Sequence, residues 1–179
     1  MGNVFKAWSN ILGGLILKVN IFLPKLFLKD VYEIDINLLK KYNIKGLILD
    51  VDNTLVEHYV EKPCKKLIDW VNYLKKNSIK LCIVSNGSLK RVTKFNEDLG
   101  LDIISKARKP FKRGFLKGLE VMNLDKNEVA VVGDQLFTDV LGGNLLGMFT
   151  ILVEMISPKE AFSVHLKRYL ERLVLKKAK

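Results

Sequence analysis

Four clusters of polar residues in this 179-residue sequence are of types and spacings that could do chemistry. Asp50-Val51-Asp52-Asn53-Thr54 sets two carboxylates and a hydroxyl within one short stretch, and Ser85-Asn86-Gly87 offers a hydroxyl followed by small polar residues. Lys106-Ala107-Arg108-Lys109-Pro110 supplies cations, and Gly133-Asp134 with Asp139 supplies two further acids. Carboxylates can serve as nucleophiles, proton shuttles or cation ligands, and a hydroxyl with backbone amides at a helix start can hold an oxyanion. With lysine beside them, these groups suit reaction at an anionic centre.

The elements needed to bring them together are legible as apolar runs. Residues 44–49, 80–84, 102–105, 128–132 and 149–153 read as short buried strands, and 64–77, 88–99, 111–122, 138–146 and 158–176 as helices. Leu67, Trp70, Val71 and Leu74 recur at helical spacing and mark a core face. This cadence predicts a three-layer, Rossmann-like α/β domain with a parallel sheet of about five strands and helices on both faces. Ligands of such a sheet bind beyond the carboxyl ends of its strands, where each of the four clusters falls. The expected organisation is a basic apolar N-terminal extension over 1–30, a core over 31–158 and a basic C-terminal helix over 159–179.

Charge and composition narrow the partners. The formal charge is +11, and 49% of residues are hydrophobic. Residues 1–29 hold four lysines and no acid, and 159–179 hold seven cations against Glu160 and Glu171, so the ends carry +9. The near-neutral body disfavours general nucleic-acid binding and leaves a membrane surface or phosphorylated substrate as the anionic partner. Cys64 and Cys82 form no CxxC pair, which excludes a disulfide framework and disfavours structural zinc; Cys82 reads as a buried strand thiol. The expected compartment is the cytoplasm. The apolar stretch from Ala7 to Leu28 has an uncharged run of only 11 residues, short of the roughly 20 that a membrane span needs. It reads as an interfacial or core-packing helix.

The four clusters, in this order at strand ends, resemble the motifs of the haloacid dehalogenase (HAD) superfamily of phosphohydrolases. The resemblance implies Asp50 as the nucleophile that takes the phosphoryl group, Asp52 as acid and then base, and Thr54 as a support of that geometry. Ser85, Asn86 and Gly87 would bind phosphoryl oxygens, and Lys109 would neutralise nucleophile and phosphoryl group. Asp50, Asp52, Asp134 and Asp139, with a dianionic phosphomonoester, oppose Lys109 alone, and each unit pair at about 4 Å is worth roughly 4 kcal/mol at an effective dielectric near 20. A cation is therefore expected. Mg²⁺ suits the carboxylates of Asp50 and Asp134 and the main-chain carbonyl of Asp52, with Asp139 orienting that shell.

Spacing then bears on the substrate. Asp52 and Ser85 are 33 positions apart and Ser85 and Lys109 only 24, so neither interval accommodates the cap domain of many superfamily members. An open site admits phosphate on a macromolecule or a lipid headgroup. Arg108, Lys112 and Arg113 beside Lys109 form a rim that would attract a second anionic group. Within the superfamily, Leu23-Pro24, the Asp50–Val56 run, Lys106–Pro110, Gly133–Asp139 and Gly143-Asn144 are similar to uncapped YqeG-like bacterial proteins, related to mitochondrial phosphatidylglycerophosphate phosphatase. That similarity implies an anionic phospholipid as substrate, and the basic ends are expected to hold the enzyme peripherally at the inner face of the cell membrane. Phosphorylated nucleic-acid ends or phosphoprotein remain as substrates of the same chemistry, and a receiver-like phosphate-sensing module as a reading of another class.

Overall fold

The computed structural model describes residues 20–58 and 60–157. Their apolar runs form a six-stranded, all-parallel sheet in the order β1-β6-β5-β2-β3-β4. The strands are β1 (Leu26–Leu28), β2 (Gly46–Leu49), β3 (Lys80–Val84), β4 (Asp102–Ile104), β5 (Val129–Gly133) and β6 (Phe149–Val153). The helices are α1 (Ile36–Lys41), α2 (Lys65–Lys76), α3 (Leu89–Asn96), α4 (Lys112–Met122) and α5 (Leu141–Leu146). This is the expected three-layer arrangement.

Strand alternation divides the core. Leu47, Leu49, Leu81, Ile83 and Val132 share one cluster with Leu39 of α1, Leu67 and Trp70 of α2 and Phe95 of α3. Ile48, Cys82, Val84 and Val131 share a second cluster with Phe115 and Met122 of α4. Because β2 and β5 are buried throughout, they read as continuous apolar runs. Side-chain caps start two of the helices: Asp35 accepts from the Leu38 N–H (2.7 Å) and Ser88 from the Arg91 N–H (3.4 Å).

Three features depart from the sequence expectation. A sixth strand, β1, comes from the stretch read as N-terminal extension and runs beside β6, with Leu26 opposite Ile151. Its three residues are too few to show a period. They are held by neighbouring contacts: the Lys25 N–H donates to the Thr150 carbonyl (2.9 Å), and Asn144 Nδ2 donates to the carbonyls of Ile21 (2.8 Å) and Leu23 (2.9 Å). The short helix α1 was also not anticipated. The helix expected over 138–146 instead begins as a wider π-type turn over Leu136–Val140 and becomes α-helical at Leu141. There the Gln135 carbonyl accepts from the Asp139 N–H (3.0 Å), while Asp139 Oδ2 accepts from the Gln135 N–H (3.2 Å). The helix expected over 158–176 and the amino-terminal stretch up to residue 19 lie outside the described residues. Among the described residues no helix is long and apolar enough to cross a membrane, and no inserted domain stands between β2 and β4.

Phe115 is fully buried, and a Cβ at Gly142 would fall 2.3 Å from its ring, so the aromatic side chain joins α4 to α5. Phe115→Ala should destabilise the protein by about 3–5 kcal/mol, seen as a lower urea midpoint, with Phe115→Leu much milder.

Candidate active site

The chain runs from β2 to β3 and β4 on one side of the sheet, then crosses to β5 on the other side of β2. The crevice therefore opens at the carboxyl ends of β2 and β5, the switch point of an open parallel sheet. Asp50 follows β2, Ser85 follows β3 and Asp134 follows β5.

Hydrogen bonds extend this register into the loops. The Ser85 N–H donates to the Ile104 carbonyl, the Ala107 N–H to the Ser85 carbonyl and the Lys106 N–H to the Gly87 carbonyl, each at 3.0 Å. Asn86 clasps Lys109 on both sides of its backbone: Oδ1 accepts from the Lys109 N–H (2.7 Å), and Nδ2 donates to its carbonyl (3.3 Å). The side chain of Asn86, expected among phosphate ligands, thus braces the lysine. Ser85 Oγ accepts from the Gly87 N–H (3.0 Å).

Lys109 carries the charge inward. Its buried Nζ lies 2.5 Å from Asp50 Oδ1 and 2.7 Å from Asp139 Oδ1. Burial alone would drive this ammonium toward neutrality, but the Asp139 and Asp50 charges overcome that and hold its pKa above the ordinary lysine value. Burial pushes the Asp50 carboxyl up to about 7; Lys109 pulls it down, while Asp139 and Asp134 add to the rise. Asp139 reaches the site because residue 133 is glycine: a Cβ there would fall 2.3 Å from the Asp139 carboxyl carbon. Thr54 Oγ1 donates to Asp134 Oδ1 (3.0 Å), tying the loop after β2 to the loop after β5.

Asp50, Asp134 and Asp139 are all buried, and each offers an oxygen within 4.8 Å of the others. With all three carboxylates ionised against one ammonium, two net negative charges remain, which a divalent cation with oxygen ligands would neutralise. Both oxygens of Asp139 already face Lys109 or the Gln135 N–H, so Asp50 and Asp134 are the readier donors.

Asp52 stands apart from this cluster. Its Oδ1 accepts from Arg91 Nε (3.1 Å) and in a very short contact from Arg91 Nη2, and His58 Nδ1 lies 3.5 Å away. Arg91 Nη1 also donates to the Val60 carbonyl (2.9 Å), and Lys94 one turn later pairs with Glu61 (2.5 Å). The start of α3 thus grips the loop that follows Asp52. Neither Arg91 nor His58 was singled out from sequence. A signal existed for Arg91, because a cation in the first turn of a helix opposes the helix dipole. Arg108, Lys112 and Arg113 are exposed, outside the buried cluster.

The parallel sheet and the acid-lysine cluster at its switch point are those of a HAD-fold phosphatase. The chain matches the family described as mitochondrial PGP phosphatase over residues 5–156, and it belongs to that family. It is 44% identical over 154 residues to the "Probable phosphatase YqeG" of Bacillus subtilis, covering 86% of this chain and 90% of that one. It is 29% identical to "Phosphatidylglycerophosphate phosphatase 1, chloroplastic/mitochondrial" of Arabidopsis thaliana, covering 87% of this chain and 47% of the plant protein. In fold it is similar to a HAD-superfamily hydrolase from Ehrlichia chaffeensis (TM-score 0.52, 15% identity, 76% of this chain and 98% of that chain).

Two outcomes follow from this geometry. Excess Mg²⁺ added to metal-stripped protein should stabilise it by about 2.7 kcal/mol at a hundredfold excess over Kd, or about 5 to 10 °C in Tm. Scanning calorimetry should show that rise largely lost in Asp134→Asn. Arg91→Gln should lower kcat for a simple aryl phosphate about 10- to 100-fold with a smaller change in KM, and Arg91→Lys should restore part of it.

Proposed function

We propose that the protein is a Mg²⁺-dependent phosphomonoesterase that converts phosphatidylglycerophosphate to phosphatidylglycerol through an aspartyl-phosphate intermediate. The observation that carries this reading is the buried Asp50-Lys109-Asp139 array at the open end of β2. An Asp50 carboxylate oxygen attacks phosphorus as the bond to the leaving alkoxide breaks, and Asp52 gives that alkoxide its proton. Asp52 then takes a proton from the water that attacks the aspartyl-phosphate, releasing inorganic phosphate and regenerating Asp50. Lys109 offsets charge on the nucleophile and phosphoryl oxygens, while Ser85 Oγ, held by the Gly87 N–H, and the backbone N–H of Asn86 orient those oxygens. Asp50, Asp134 and the Asp52 carbonyl would hold the Mg²⁺, which would supply charge stabilisation at the transferring phosphoryl group. Arg91 holds the Asp52 carboxylate through Oδ1.

Support for a lipid substrate comes from the family match over residues 5–156 and from the likeness to the plant phosphatidylglycerophosphate phosphatase. An uncapped crevice suits a phosphate presented at an interface. The basic chain ends, with +9 between them, suit peripheral attachment to an anionic inner membrane face, at about 1 kcal/mol per close cation.

The test is phosphate release from phosphatidylglycerophosphate in mixed micelles with Mg²⁺, beside a 3′-phosphorylated oligonucleotide and a phosphopeptide. The lipid should be turned over fastest, and Asp50→Asn should lose at least about a thousandfold in rate. Faster turnover of oligonucleotide or peptide would overturn the substrate, and full activity of Asp50→Asn would overturn the mechanism.

A further inference from the structure

The loop that leads to the buried lysine borders a cavity of about 610 Å³ between residues 104–108 and the first turns of α4. Lys106, Arg108, Arg113 and Lys117 line it, together with Phe111, and no acidic residue does. Among the described residues none of these four cations has a side-chain hydrogen bond or ion pair. Other cations near the crevice differ in this respect: Arg91 is paired with Asp52 and Lys94 with Glu61.

Local stability does not account for the cluster. Arg113 stands in the first turn of α4, where the helix dipole disfavours a cation. Lys106 (φ 48°) and Arg108 (φ 55°) both occupy the left-handed backbone region, which favours glycine or asparagine over long side chains. That conformation alternates the loop: Ala107 and Lys109 are buried, whereas Lys106 and Arg108 are exposed. Gly114 closes the wall, since a Cβ there would fall 2.7 Å from that of Ala107. Arg108 immediately precedes Lys109, so the loop that carries the cation beside Asp50 also lines the cavity.

We infer that this cavity is a second anion subsite, which takes a phosphate or phosphodiester group carried on the same substrate a few bonds from the scissile phosphomonoester. The two arginines match phosphate oxygens in bidentate fashion, the lysines add charge, and Phe111, 70% exposed, offers an apolar wall to the substrate body. The inference deepens the proposed function and rests on it for the reacting phosphate, but not for the identity of the lipid.

Three esters separate the contributions. Glycerol 3-phosphate has one phosphate, the deacylated headgroup glycerophosphoglycerophosphate has two, and short-chain phosphatidylglycerophosphate adds acyl groups. The wild type should prefer both two-phosphate esters over glycerol 3-phosphate in kcat/KM. The double variant Arg108→Gln/Arg113→Gln should lose about 10- to 100-fold of that preference, mainly through KM. Lys106→Gln/Lys117→Gln, removing the other two cations, should shift it in the same direction and provides an independent reading if the first variant folds poorly. A preference unchanged by either variant, or a wild type that turns over glycerol 3-phosphate as well as the two-phosphate esters or fails to turn them over, would overturn the subsite. Hydrolysis of the lipid without such preference leaves the proposed function standing and the subsite refuted. Preference for the deacylated headgroup with no activity on the lipid does the reverse.

Discussion

The burial of the Lys109 ammonium between Asp50 and Asp139 is the constraint around which the rest of this structure is arranged. An ammonium taken out of water is tolerated only with opposite charge in contact, and clustered carboxylates only with a cation between them. Removing one partner of such a buried pair typically costs about 3–5 kcal/mol, because the other charge is left uncompensated. The three side chains come from the segments that follow β2, β4 and β5, so their mutual attraction draws those segments toward one point. Asn86 adds the fourth by clasping the backbone of Lys109. With Asp134 included and all three carboxylates ionised, the array retains two net negative charges, which accounts for its fit to a divalent cation.

The sheet makes that convergence possible. Because β2 and β5 are neighbours while the chain leaves them in opposite directions, their carboxyl ends open a crevice that no connection crosses. Gly133 admits Asp139 to it, and the π-type turn aims that carboxylate inward. No cap domain stands over the site among the described residues. The short loop after Asp52 is instead held by α3, through Arg91 to Asp52 and the Val60 carbonyl and through Lys94 to Glu61. On the loop after β4, Lys109 is turned in to the buried acids and Arg108 is exposed at the cationic cavity.

Much of this was readable in advance, for definable reasons. Strands β2, β3, β5 and β6 lie in runs apolar enough to be seen without tertiary information, since strands buried on both faces need no polar alternation. Asp50, Asp134, Asp139 and Lys109 were readable as one cluster because each follows an element that the parallel sheet brings to the same edge. β1 was not, since three residues held by Thr150, Asn144 and an edge of β6 carry no pattern of their own. Nor was the role of Asn86, whose amide is committed to the Lys109 backbone. The grip of Arg91 on Asp52 joins residues 39 positions apart on different elements, and no spacing rule links them.

Residue types and order alone therefore determined the class of sheet, the lack of room for a cap, and which carboxylates and lysine would gather beyond its strand ends, because these follow from local hydrophobic pattern and from the place of each group next to an element end. Tertiary structure alone decided how those charges are partnered. It set Lys109 between Asp50 and Asp139, gave Asp52 to Arg91, and left the cations of the outer cavity without partners among the described residues. The net charge of +11 is a sum over the chain, whereas electrostatic energy depends on separation and burial, which exist only once the sheet has brought distant loops together.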